Sequence, residues 1–336
     1  MWILPLRFSE FGVEYLPKPS ICARFRVCDR APLLSLASPC VEGSVMRVVD
    51  TRRFSYGGTA YAYCVWAPAT TPAAAQPAAP LILLHGFAQS AASWDVVAPA
   101  LAAARPVYAL DLAGHGESER PADPRAYALD AQADALLAFA RQVVGDGEAR
   151  PAILGYSMGG RVTLAALRRD PHAFFAVVLE AAGFGPATPG EQAAAIERDR
   201  NAAARLRADG LEAFMDAWEQ LPLFATQRDL PPDVCARVRT GRLANDAEAL
   251  ACTFEHAGQH VMPARSTTLE MLASLTANGT PLLYLAGERD AKYRALATRV
   301  AEAGAAVRIV PGAGHNTHLE VPGVFVHEAI SFLSAC

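Results

Sequence analysis

Long apolar runs, paired cysteines and a strong excess of charge of either sign are all missing from this 336-residue chain. The apolar residues of the first 45 positions are interrupted by Arg7, Glu10, Glu14 and Lys18, which excludes a signal-peptide core or a membrane span there. The seven cysteines, at 22, 28, 40, 64, 235, 252 and 336, are odd in number and include no Cys-x-x-Cys pair. That argues against a disulfide framework and a zinc site, and a reducing cytoplasm fits best. A formal net charge of −4 leaves no electrostatic footprint for nucleic acid or an anionic membrane. What remains is a composition of 52% hydrophobic and 19% charged residues, that of a soluble enzyme. Its length can bury a full α/β core in one large domain or two small ones.

Residues 1–45, with three of the cysteines and several prolines, read as a poorly ordered extension, and Met46 as an alternative start. From Arg47 to Trp66 the alternation predicts a hairpin turning at Gly57-Gly58. Ala67 to Pro80, almost all Ala, Pro and Thr, predicts a long loop. Strands and helices then alternate: apolar strands at Leu81–Leu84, Val107–Leu112, Ala152–Leu154 and Val177–Leu179, and helices over Trp94–Ala104, Leu129–Val144 and Met158–Arg169. Near-continuous apolar strands in such an order imply a parallel sheet covered on both faces. Between about Gly185 and Ser274 helical periodicity replaces the strands. Thr188-Pro189-Gly190-Glu191 has the form of a capping box, Gly210 that of a helix stop, and Leu211, Phe214, Met215 and Trp218 recur on one helical face. Strand–helix order resumes at Pro281–Ala286 and Ala306–Val310. The expected organisation is therefore an α/β core in two parts, 46–184 and 275–336, with a helical lid at 185–274 over the strand ends, where such sheets bind ligands.

Gly155-Tyr156-Ser157-Met158-Gly159 sits between the strand ending at Leu154 and the helix ending before Asp170-Pro171. A Gly-x-Ser-x-Gly turn in that context is a nucleophile elbow, too tight for side chains at its flanks, that lifts the serine hydroxyl clear of the sheet. His315 follows in Gly312-Ala313-Gly314-His315, and a serine hydroxyl needs such an imidazole to take its proton. Over Met46 to Cys336 the chain resembles the α/β-hydrolase fold, whose triad runs Ser, Asp or Glu, then His. That order makes Asp290, after Leu282–Ala286, the expected acid, with Glu180 at the end of the preceding strand as its rival. It also makes the backbone N–H groups of Phe87, in His85-Gly86-Phe87, and of Met158 the donors that face developing negative charge. His85 is expected to be structural, and Asp111 to Ser118 to serve packing and turns.

Arg161 lies in the first turn of the elbow helix, where a cation opposes the positive end of the dipole at a cost of a few tenths to about 1 kcal/mol. An anionic ligand at that helix start would offset it; the alternative is a solvated arginine or one paired to a structural carboxylate. Gly155-Tyr156-Ser157-Met158-Gly159-Gly160-Arg161, Gly287-Glu288-Arg289-Asp290-Ala291-Lys292-Tyr293 and Gly314-His315-Asn316-Thr317-His318-Leu319-Glu320 resemble one subfamily. So do Trp218 to Ala225 and Arg242-Leu243-Ala244-Asn245. The subfamily is the 2-succinyl-6-hydroxy-2,4-cyclohexadiene-1-carboxylate synthases of menaquinone biosynthesis. The resemblance implies a lyase without metal or organic cofactor, in which Ser157, Asp290 and His315 abstract a proton from a small anionic cyclohexene carboxylate and drive elimination of pyruvate. It assigns Tyr156, Arg161, Trp218 and Arg242 to substrate carboxylates and the lid face; read without it, Trp218 is a core-facing lid residue and Arg242 a surface charge. The subfamily usually carries an arginine four residues before the position of Asp199. Ala195 stands there, leaving Arg198 or Arg200 as substitutes. A hydrolase of the same fold, an esterase or a carbon–carbon bond hydrolase, is the second reading. A non-catalytic binder, which would have shed triad members, is the third.

Overall fold

Gly57 and Gly58 both hold positive φ, 57° and 81°, the requirement of a two-residue hairpin turn whose twist matches its strands. The turn joins β1 (Met46–Tyr56) to β2 (Thr59–Ala67), paired antiparallel with a register shift between Val48 and Arg52. The computed structural model describes residues 46–68, 78–144 and 150–336, with the backbone alone for 46–50. The extension expected at 1–45, and most of the loop expected at Ala67–Pro80, lie outside the described residues.

The remaining strands are β3 (Leu81–Leu84), β4 (Val107–Leu110), β5 (Ala152–Tyr156), β6 (Val177–Glu180), β7 (Leu282–Gly287) and β8 (Ala306–Val310). They form one eight-stranded sheet in the order β1-β2-β4-β3-β5-β6-β7-β8, in which β2 runs antiparallel to both neighbours and β3 to β8 are mutually parallel. Every residue of β3, β5, β6 and β7 is buried, the reason these strands, apart from Glu180 at the end of β6, are apolar rather than alternating. The strand order reverses between β3 and β5, the switch point beyond whose carboxyl ends open parallel sheets bind ligands.

The helix expected over Trp94–Ala104 is instead a 3-10 turn at Ala91–Trp94 and one α turn, α1 (Ala98–Leu101). Pro99 sits in the first turn of α1 and has no N–H to give a helix running on from Trp94, so the chain restarts there. α2 (Leu129–Phe139) runs on into a π turn at Ala140–Val144, and α3 (Met158–Arg169) follows β5. After β6 come α4 (Pro189–Glu219), a 3-10 stretch at Pro222–Asp229, α5 (Pro232–Leu243), α6 (Ala247–Ala257) and α7 (Arg265–Ala277). α8 (Ala291–Glu302), the single turn α9 (Thr317–Glu320) and α10 (Pro322–Ala335) complete the chain. Among the described residues no helix is long and apolar enough to cross a membrane.

Thr188 caps α4 through the Glu191 N–H at 3.1 Å. The Glu191 side chain reaches back one residue further than a capping box requires, to the Ala187 N–H at 2.9 Å, and also binds Arg265. Gly210, at φ 80° and ψ 170°, breaks α4 into two helices where a stop is expected. The second helix turns Phe214, Met215 and Trp218 inward against Leu250, Ala251 and Phe254 of α6, an apolar cluster separate from the sheet's core. Leu272 and Leu275 of α7 pack with the sheet.

Candidate active site

The elbow is narrow because backbone approaches backbone. A Cβ at Gly155 would meet Thr163 Oγ1 at 2.6 Å and the Gly159 carbonyl at 2.8 Å, and one at Gly159 would strike the carbonyl oxygens of Leu84 and His85. Ser157, between them, is held at φ 49° and ψ −103°, a strained conformation for a residue with a side chain. Its N–H donates to the Glu180 carbonyl at 2.8 Å, fastening the elbow to the end of β6. The hydroxyl of Ser157 lies 3.1 Å from His315 Nε2, and His315 Nδ1 lies 2.8 Å from Asp290 Oδ2. Asp290 Oδ1 accepts the Tyr293 N–H at 3.2 Å, so one carboxylate both caps α8 and holds the imidazole. Three residues up to 158 positions apart in sequence are thereby brought into one chain of contacts.

Glu180 is brought close to the serine and yet turned away from His315. Its carboxylate accepts from the Thr317 hydroxyl at 2.7 Å and the His318 N–H at 3.0 Å, and lies 2.7 Å from His318 Nδ1. His318 in turn stacks on Trp94, ring centroids 4.1 Å apart. His85 is fully buried between the Gly86 carbonyl and the Leu112 N–H, and burial lowers its pKa to about 3. It is a neutral structural histidine, with Nδ1 donating and Nε2 accepting. Asp111 receives the Ala91 and Glu117 N–H groups, and its backbone carbonyl receives the Ser118 hydroxyl, so this segment is a knot of turns.

Met158 opens α3, where an N–H has no acceptor within its own helix, and Phe87 follows the β3 segment against which Gly159 is pressed. The two N–H groups thus stand on facing segments beside the serine. Ala88, directly after Phe87, takes a left-handed φ of 55°, and its carbonyl accepts from Asn245 Nδ2 at 3.1 Å. Trp218 covers this side, 5.2 Å from the Phe87 ring and within 6 Å of Phe214, Phe224 and Phe254. Tyr156 is buried, its ring 5.5 Å from His315. Burial, then the charges of Glu180 and Glu320, push its phenol well above the usual range, while Arg242 pulls it back.

Arg161 is half-buried, and among the described residues its guanidinium makes neither a hydrogen bond nor an ion pair. Burial pushes its pKa down; the charge of Asp199 supports the cation and that of Arg198 opposes it. Asp199 is itself taken up by Arg198, at 2.8 and 3.0 Å, and by His260 at 2.8 Å. Of the two arginines near Ala195, Arg198 is the one that joins this cluster. Arg242 is no surface charge. It is buried, bonded to Glu219 at 3.0 Å and Gln227 at 2.8 Å, with its guanidinium 5.1 Å over Phe224. Phe224, 6.1 Å from the His315 ring, and Tyr293, 4.7 Å from it, lie in stretches that carry the resemblance but received no role of their own from the sequence. The signal for Tyr293 was its place three residues after Asp290 in a matching stretch, and helical spacing carries none for Phe224 in a 3-10 stretch.

The arrangement can take a proton from a serine oxygen, hold the resulting imidazolium beside a carboxylate, and present backbone donors and the Arg161 cation to an anion. Residues 81–329 match the alpha/beta hydrolase family. The chain is 33% identical over 257 residues, 76% of its length and 90% of the relative's, to a Bacillus subtilis (strain 168) protein provisionally named 2-succinyl-6-hydroxy-2,4-cyclohexadiene-1-carboxylate synthase. It is 33% identical over 242 residues, 72% of its length and 88% of the relative's, to the synthase of that name from Escherichia coli O1:K1. Among solved structures, MenH from S. aureus superposes with a TM-score of 0.73 at 26% identity, covering 81% of this chain and 98% of that one. A thermophilic esterase from Thermogutta terrifontis superposes at 0.68 with 22% identity, covering 87% and 98%, a likeness of fold alone.

Proposed function

The chain belongs to the alpha/beta hydrolase family, and on that basis we propose that it is a 2-succinyl-6-hydroxy-2,4-cyclohexadiene-1-carboxylate synthase of menaquinone biosynthesis. In this reading His315 Nε2 takes the Ser157 hydroxyl proton while Asp290 steadies the imidazolium through Nδ1. The serine oxygen removes a ring C–H proton from an enolpyruvyl-bearing cyclohexene carboxylate. The freed electron pair forms the ring double bond, the bond to the enolpyruvyl oxygen breaks, and the departing enolpyruvate regains a proton at carbon to become pyruvate. One proton leaves the ring and one enters the product, so no metal or organic cofactor is called for. The N–H groups of Phe87 and Met158 face negative charge as it develops. Arg161, with Tyr156 and Arg242, receives carboxylates, and Trp218 supplies the lid's apolar wall.

The observation that carries this reading is the half-buried Arg161 at the start of α3, whose guanidinium makes no hydrogen bond or ion pair among the described residues. A cation there is disfavoured by the helix dipole and by burial, and a bound carboxylate relieves both. The test is to supply the enolpyruvyl precursor and follow pyruvate with a coupled dehydrogenase, beside short p-nitrophenyl esters. Pyruvate release with poor ester turnover is expected. The second reading, a carboxylesterase or carbon–carbon bond hydrolase, draws on the strained Ser157 backbone and its 3.1 Å contact with His315, which suit acyl transfer equally well. Brisk ester turnover without pyruvate would select it.

A further inference from the structure

We infer that Glu180 is a positioning residue: the clasp that holds the elbow and the histidine loop in register, and so sets the Ser157–His315 contact. The inference rests on the triad proposed above. Glu180 ends β6 and pairs with Tyr156 of β5 on one side and Leu285 of β7 on the other, which places it between the strand leading to Ser157 and the strand leading to Asp290. Its backbone carbonyl holds the Ser157 N–H at 2.8 Å. Its carboxylate holds the turn just past His315 through three contacts of 2.7 to 3.0 Å, from the Thr317 hydroxyl, the His318 N–H and His318 Nδ1.

All the parts are inside the protein: Glu180 and Thr317 are 0% exposed and His318 2%. Water therefore cannot substitute for any of these bonds, and a buried carboxylate left without them would be costly. The chain leaves Glu180 through Ala181 at φ 46°, a second left-handed residue one strand across from Ser157. Two strained residues, linked by the bond from Ser157 N–H to the Glu180 carbonyl, need surroundings that over-determine them. The clasp is that surrounding. On its far side Trp94 stacks on His318 and closes the remaining face. Because Glu180 engages His318 and not His315, its part is geometric.

Geometry and charge separate on substitution. In Glu180→Gln the amide oxygen still accepts from Thr317 and His318 N–H, and the amide nitrogen can donate to His318 Nδ1 once that ring changes tautomer. Glu180→Ala loses the clasp entirely, and Thr317→Val removes one strut with little change of volume. The probe is diisopropyl fluorophosphate, whose rate of attachment to Ser157 reports the serine–histidine alignment without any substrate and is read by mass spectrometry well below each variant's melting temperature. Glu180→Gln should label at close to the wild-type rate, Glu180→Ala should label about 10- to 100-fold more slowly, and Thr317→Val should fall between them. Should Glu180→Ala fail to fold, Thr317→Val decides alone. Wild-type rates in folded Glu180→Ala or Thr317→Val overturn the inference, as does a Glu180→Gln variant as slow as Glu180→Ala, which would make the role one of charge. A wild-type serine that never reacts overturns the triad and the clasp together.

Discussion

Asp290 takes hold of His315 at Nδ1 across 2.8 Å, between side chains that are 3% and 2% exposed. That bond selects the tautomer with its lone pair on Nε2, facing the Ser157 hydroxyl. Everything proposed about this protein's chemistry depends on the pair, and the first expectation tests it.

Ser157→Ala and His315→Ala should each lower kcat by several orders of magnitude, and the double variant should lose little more, because the members act as a unit. Asp290→Asn should fall by a comparable order, since the amide imposes the wrong tautomer. Steady-state kinetics on the four variants decide. Multiplicative losses in the double variant would show that Ser157 and His315 act separately.

The two arginines should separate in stability. Replacing either Arg161 or Arg242 by methionine should cost about 1.5–3 kcal/mol in kcat/KM, or roughly 10- to 150-fold, if each makes a charge-assisted bond to substrate. Arg161→Met should leave the ligand-free melting temperature unchanged or slightly higher, because a cation disfavoured by burial is removed from a helix start. Arg242→Met should lower it, since Gln227 loses its partner inside the lid and Glu219 keeps only Arg239. Lysine at 161 should rescue only part of the activity, lacking the planar fork. Full activity in Arg161→Met would remove the main physical reason for an anionic substrate.

Stability should decline on acidification. Burial holds His85 at about 3 and His115 at about 4, against 6.5 for the unfolded side chain. As pH falls through 6.5 the unfolded chain takes up protons that the fold refuses, so the stability contributed by both histidines, complete above that pH, is lost. Asp111 works in the opposite sense: burial raises it to about 6 from 3.8, so the fold binds its proton first and gains between those values. Two histidines against one carboxyl leave one net proton, a loss of about 1.4 kcal/mol per pH unit between roughly pH 6 and 4. Urea unfolding across that range measures the slope, and His115→Gln should nearly flatten it. An unchanged slope in that variant would show that His115 titrates normally.

Removing residues 1–45 should leave activity and melting temperature nearly intact. The segment lacks the periodicity to join a sheet or lid, and a chain starting at Met46 keeps the β1 register from Met46–Ala67 onward. A truncated protein that unfolds while the full chain is stable would refute this.

Much of the fold was legible because its signals are local. Short apolar runs bounded by turn residues and alternating with helical periodicity read as strands, and Thr188, Gly210 and Gly57-Gly58 act within a few residues of themselves. The expected helix over Trp94–Ala104 broke at Pro99, a local signal outweighed by the apolar residues around it. Without the resemblance Arg242 reads as a surface charge because charged residues mostly are exposed, and the approach of Glu219, 23 positions away, and of Gln227 accompanies its burial.

By itself the sequence determined the order of strands and helices, the glycine-flanked serine and the late histidine, since turn chemistry and hydrophobic period act over a handful of residues. It could name Asp290 and Glu180 as acids but not choose between them on distance. Two carboxylates at the ends of adjacent strands, β6 and β7, differ only in which imidazole each can reach, and that depends on how the loop from His315 to His318 lies across them. In the tertiary structure Asp290 meets His315 and Glu180 meets His318, while the Arg161 guanidinium makes no hydrogen bond or ion pair among the described residues. Hydrogen bonds extend about 3 Å and sequence spacing says nothing at that scale, so pairings between distant residues are decided only when the sheet brings them together.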